Sequence, residues 1–77
     1  MHRTTLTPLQ QQLLDAIDAF RRTHAYPPAI RDLQEAIPVA RGGKPVSTSV
    51  ISYNLDQLRE FGLIDRDPRR ARSIVRR

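Results

Sequence analysis

The stretch that most constrains the fold runs from Ser47 to Arg77. Ser47 can cap a helix, and Ile51, Leu55 and Leu58 follow at the three- and four-residue intervals that line one helical face. Gly62 closes that segment, because glycine readily enters the left-handed conformation in which many helices end. Leu63 and Ile64 open a strand over 63–66, Asp67–Ala71 makes a turn, and 72–76 returns as a second strand. The helix shows small polar residues outward and is followed at once by a basic hairpin. Its apolar face needs other helices to cover it, and the hairpin can dock on them through Ile64, Ile74 and Val75.

The preceding residues supply those helices. Thr7-Pro8-Leu9-Gln10 reads as a helix start, with Thr7 as N-cap, Pro8 at the first helical position and Gln10 completing a capping box. Apolar residues recur at Leu9, Leu13, Ala16 or Ile17, and Phe20, with Leu14 widening the stripe, which predicts a helix over 8–24. Tyr26-Pro27-Pro28 breaks it, since proline cannot continue a helix and restricts the residue before it. A second helix is expected over 30–37, with Ile30, Leu33, Ala36 and Ile37 inward. Its cap position holds Ala29, which costs about 1 kcal/mol relative to serine or threonine. Pro38 ends it, and residues 38–46 read as an inserted flexible loop. The third helix is expected over 48–61. With 1–6 as a flexible arm and 63–77 as the hairpin, residues 1–77 form one domain. The fold class is mainly α with a small antiparallel β hairpin, a three-helix winged helix-turn-helix.

Composition narrows the functions such a domain can serve. Seventy-seven residues make one small domain and leave no room for a second, catalytic one. Without cysteine there are no disulfides and no thiolate metal sites, which suits a cytoplasmic protein. No apolar run approaches the ~20 residues that span a bilayer, and the N-terminus has no apolar signal core. The expected location is the cytoplasm, associated with the nucleoid. Charge is unevenly placed: residues 1–38 balance four arginines against four acids, whereas 59–77 carry seven arginines against Glu60, Asp65 and Asp67. A positive field loaded at one end favours a polyanion over small acidic metabolites, the alternative being a solvated basic tail.

In their order and spacing, these segments resemble the N-terminal DNA-binding domain of LexA-type repressors. The matching residues are Leu6-Thr7 with the Gln-rich helix start, Tyr26-Pro27-Pro28, Ile30-Arg31-Asp32-Leu33, and Glu35-Ala36-Ile37. Further on they are Ser47-Thr48-Ser49, Asn54-Leu55, Leu58, Gly62-Leu63-Ile64, Arg66-Asp67-Pro68 and Arg72-Ser73-Ile74. The resemblance extends from Leu6 to Arg76 and implies repression through operator binding. Two departures stand out: residues inserted around Arg41-Gly42-Gly43-Lys44 where the family's turn is short, and Ala29 where it usually places a hydroxyl cap. LexA repressors also carry a C-terminal domain that dimerises and cleaves itself with a serine–lysine pair. These residues do not supply it, so induction by self-cleavage is not carried over.

In this architecture the third helix lies in the major groove with its first turns nearest the bases. With Ile51, Leu55 and Leu58 inward, the outward set is Ser47, Ser49, Val50, Ser52, Tyr53, Asn54 and Gln57. The resemblance implies base contacts at the same positions. Hydroxyls donate or accept, Asn and Gln can pair with adenine, and Val50 can meet a thymine methyl. No acid appears on this helix before Asp56. The bland alternative, a solvated surface helix, would normally carry more Glu and Lys. Backbone contacts are expected from Thr48 and from Arg69, Arg70 and Arg72 at the hairpin, whose guanidinium forks match phosphate oxygens. Arg31, near the start of the second helix, and Arg41 and Lys44 in the loop are further candidates, each equally readable as a solvated surface charge.

Catalysis finds no constellation. His2 and His24 are isolated, no serine has a histidine or lysine at activating helical spacing, and Asp15 with Asp18 reads as a solvated face. Gly42-Gly43 lacks the rest of a phosphate-loop pattern. The expectation is no enzyme, no cofactor, no metal and no small-molecule ligand. The partner is double-stranded DNA, bound by a monomer in free solution whose copies can pair on DNA. A winged-helix protein–protein module, such as an anti-repressor or an assembly subunit, is the rival, and a piece of a larger repressor is a third reading.

Overall fold

The computed structural model describes residues 5–37 and 45–77. The expectations for the first residues of the arm and for most of the 38–46 loop, Arg41 and Lys44 included, lie outside the described residues. Helices α1 (Pro8–Thr23), α2 (Ile30–Ala36) and α3 (Thr48–Glu60) precede a hairpin of β1 (Ile64–Asp65) and β2 (Val75–Arg76).

α1 starts as its residues dictate. The Thr7 hydroxyl accepts the Gln10 N–H at 3.2 Å and the Gln10 side chain accepts the Thr7 N–H at 3.1 Å, so two otherwise orphaned donors are satisfied. It ends one residue before the expected His24, whose backbone is extended although its N–H still reaches the Phe20 carbonyl at 2.9 Å. α2 lacks a side-chain cap at Ala29. Half of a capping box survives, because Asp32 reaches back to accept the Ala29 N–H at 2.8 Å. α2 also ends one residue early. Ile37 turns extended and stays buried, while Ala36, expected inward, is exposed. Ile37 lies four residues after Leu33 and fills the core position, leaving the Ala36 methyl outside.

α3 ends at Glu60, with Phe61 as its cap and Gly62 at φ 77°. The Gly62 N–H reaches the Arg59 carbonyl at 2.9 Å and the Leu63 N–H reaches Leu58 at 3.1 Å. This pair of bonds defines a Schellman closure, which turns the chain directly into β1.

The hairpin pairs Ile64 with Arg76 and Asp65 with Val75, so its strands are shorter than expected. Past Asp65, side chains replace the ladder. The Ser73 hydroxyl accepts the Asp67 N–H at 2.9 Å and donates to the Asp67 carbonyl at 2.8 Å, closing the tip. The core is one cluster: Leu13, Leu14 and Ile17 of α1, Leu33 and Ile37, Ile51, Leu55 and Leu58 of α3, then Ile64 and Ile74 of the hairpin. Each fully buried Leu or Ile is worth about 1.5–3 kcal/mol of transfer free energy, and together they fix α3 and the wing against α1 and α2.

Candidate nucleic-acid interface

α3 begins at Ser47, whose hydroxyl accepts the Val50 N–H at 3.2 Å. That hydroxyl is engaged as a cap, although a second lone pair and the O–H remain. Burial of Ile51, Leu55 and Leu58 turns the opposite face out. Thr48, Ser49, Val50 and Tyr53 are exposed there, and Ser52 and Gln57 are half-buried. Val50 is 45% exposed and Tyr53 64%, high values for large apolar side chains one turn apart on the same helix.

Asn54 behaves differently from its neighbours. Its Oδ1 accepts from Gln10 Nε2 at 3.2 Å and its Nδ2 donates to the Val50 carbonyl at 2.8 Å. Gln10 is 6% exposed, so a buried polar link runs from the cap of α1 to the middle of α3. The side chain of Asn54 faces α1, which sets it apart from the other expected base contacts.

The wing arginines divide into two kinds. Arg69 and Arg70 have side chains 92% and 80% exposed, and their nearest carboxylate, the shared Asp67, lies 3.7 and 4.0 Å away. Arg66 turns inward, and Arg72, with its side chain 46% exposed, is tied to neighbouring groups. The Arg66 side chain is only 9% exposed and bonds the Ser52 carbonyl and Asp56, each at 3.2 Å, tying the wing to α3. Arg72 bonds Asp32 at 3.0 Å and the Pro27 carbonyl at 3.2 Å, and its guanidinium lies 4.6 Å from the Tyr26 ring centre.

Between the starts of α2 and α3 and the wing tip lies an open groove of about 480 Å³. Its walls include Arg31, Thr48, Arg66, Arg69 and Arg70, with Ile30 and Ile74 at its apolar floor. Among the described residues, its lining contains no acidic side chain. Low-dielectric walls bearing one sign of charge focus the potential, so the groove favours an anionic strand. The exposed Arg31, of the expected backbone contacts, faces the wing arginines across it.

Gln10 beyond its capping box, Arg66 and Asp32 are not among the expected site residues, yet each takes part in the site's framework. The capping-box spacing marks Gln10, but its bond to Asn54 spans 44 residues and has no local signature. Asp32, three residues after the cap position, carries the half-box signal. Nothing in the sequence pattern distinguishes Arg66 from the other wing arginines. Among the described residues, no three His, Asp or Glu side chains converge as a metal site, and no helix is long and apolar enough to cross a membrane.

Three helices on one core, a polar outward face on the third, and an arginine-bearing hairpin beside it define a winged helix-turn-helix domain of the DNA-binding class. The family model of the LexA DNA binding domain matches residues 3–73, and the chain belongs to that family. It is 42% identical over 69 residues to the LexA repressor of Roseiflexus sp., an alignment covering 90% of this chain and 29% of that protein. It is 37% identical over 71 residues to the LexA repressor of Acidothermus cellulolyticus, covering 92% and 24% respectively. For the LexA repressor of Geobacillus sp. the identity is 38% over 71 residues, with 92% and 31% covered. The chain therefore spans about a quarter to a third of the length of these curated relatives. The partner that the family defines is double-stranded DNA.

Proposed function

We propose that this chain binds duplex DNA sequence-specifically and serves transcriptional repression by occluding a promoter. α3 enters the major groove with Ser49, Val50, Ser52 and Tyr53 toward the base edges, joined by Ser47 and Gln57 at its margins. Thr48, Arg31, Arg69 and Arg70 grip the sugar–phosphate backbone. The observation that carries the reading is the junction of an outward face on α3 that holds no acid before Asp56 with an arginine-lined groove along its start. Such a pairing separates the two tasks of a DNA reader: hydroxyl and methyl groups specify, while cations position. Asn54 contributes through its bond to Gln10, which holds the azimuth of α3.

The protein–protein alternative is not favoured. It requires a contiguous apolar patch, whereas among the described residues the large exposed apolar side chains are Tyr26, Val50, Tyr53 and Phe61, divided between the α1–α2 turn, the α3 face and its end. Selection of binding sites from random duplexes at two salt concentrations tests the proposal. A single enriched motif, bound more weakly as salt rises, is expected. Salt-dependent binding with no enriched motif would reduce the domain to a non-specific DNA binder.

A further inference from the structure

We propose that Arg72 is a positioning residue that sets the spacing between the wing tip and the start of α2, and that it is not itself a phosphate ligand. The inference rests on the reading of the wing as a backbone grip and says how that grip is held open. The groove has Ala29, Ile30 and Arg31 on one wall and Pro68, Arg69, Arg70 and Ala71 on the other. Between Asp65 and Val75 the hairpin has no ladder pairing, so the position of its tip depends on side-chain ties. Arg66 ties one arm to α3, and Arg72 ties the other to the α1–α2 turn.

The second tie is built from several groups. Asp32 Oδ2 accepts both the Ala29 N–H at 2.8 Å and Arg72 Nη1 at 3.0 Å, so one oxygen caps α2 and anchors the wing. Arg72 also donates to the Pro27 carbonyl and lies over Tyr26. Tyr26 is itself held edge-on by Phe20 at 5.7 Å and His24 at 5.4 Å, and those two rings stack at 3.8 Å. A guanidinium whose Nη1 donates to both a carboxylate and a carbonyl, with an aromatic ring beside it, has its charge and that arm of its fork engaged. Arg69 and Arg70, exposed beside a shared and looser Asp67, do not.

Asp32→Asn gives a test whose sign decides. The amide keeps an oxygen for the Ala29 N–H but loses the charge that holds Arg72. If Arg72 were a phosphate ligand, removing a nearby acid and freeing the arginine would tighten DNA binding. As a brace, its release should weaken binding about three- to tenfold, with Arg72→Ala giving a similar loss and the double variant little more, as coupled neighbours do. Arg72→Ala should leave the salt slope unchanged, whereas Arg69→Ala should lower it by roughly 0.9. Nitrogen-15 relaxation of the free domain supplies a readout without DNA: the amides of residues 69–72 should gain motion in Asp32→Asn while those of α3 do not. Tighter or unchanged binding by Asp32→Asn, a reduced slope in Arg72→Ala, or unaltered wing relaxation would each overturn the proposal. An unchanged slope in Arg69→Ala and Arg70→Ala would instead reject the backbone grip, leaving the brace to be judged by the relaxation data.

Discussion

Arg69 and Arg72 stand three residues apart on one hairpin, yet their surroundings differ sharply. Arg69 has its side chain almost wholly in solvent, and holding phosphate there costs little desolvation because no strong partner must be released. Arg69→Ala and Arg70→Ala should therefore each lower the salt slope of DNA binding by roughly 0.9, measured by titration across a salt series. On α3, Ser49→Ala and Tyr53→Ala should weaken binding to the selected site by ~1–3 kcal/mol where each makes a base contact, while leaving scrambled duplex almost unaffected. Equal losses on both duplexes would show that α3 does not read sequence. Helical periodicity made the outward Cβ positions of these residues legible. It did not reveal where a long or amide side chain bends. Asn54 sits at the edge of the reading face by spacing but finds Gln10 across the α1–α3 contact, and Arg72 finds Asp32 forty residues away. Both partners come from tertiary packing, which spacing within one segment does not encode.

At the scale of elements, boundaries follow the residues that punctuate the chain. Thr7-Pro8, the proline pair, Ser47 and Gly62 placed the helix ends within a residue, because each acts through local backbone chemistry. The strands were less legible, since the Ser73 hydroxyl bonds Asp67 where a ladder would otherwise continue. Gly62 joins α3 to the hairpin, and a Cβ built there meets nothing within 4 Å. The cost of Gly62→Ala is thus backbone strain alone, at φ 77°, and should be about 1–2 kcal/mol in denaturant unfolding. Gly62→Asn should recover part of it, because asparagine tolerates the left-handed region better. Equal losses in the two variants would point to a packing role for the position. A second elemental test concerns Gln10, the buried polar residue between α1 and α3. Gln10→Ala leaves the Asn54 carbonyl and the Thr7 N–H without their partner, a loss of about 1–3 kcal/mol, and Thr7→Ala, which removes only the cap, should cost less.

For the whole molecule, one core consumes the apolar faces of all three helices and of the hairpin. Among the described residues, what remains outside is polar or charged apart from scattered residues, of which Val50 and Tyr53 lie on the outward face of α3. An obligate dimer interface is usually large and apolar, resembling a core cut in half, and no comparable surface is offered by the described residues. The domain should accordingly sediment as a monomer at micromolar concentration. A lone winged helix inserts one helix into one major-groove segment, so its contacts are few and its affinity limited. Tight operator binding then calls for two copies on half-sites separated by about one helical turn or a multiple of it, which puts both reading helices on the same side of the duplex. The formal charge of +5 argues against contact between copies in free solution, while DNA phosphates between them would screen that repulsion. Pairing should therefore emerge only on the duplex. Sedimentation of the free chain, followed by titration of one-site and two-site duplexes, separates the two statements. A dimer without DNA would contradict the first. Strictly independent filling of two correctly spaced sites would contradict the second, whereas tighter filling of the second site, lost when half a turn of DNA is inserted between the sites, is the expected result.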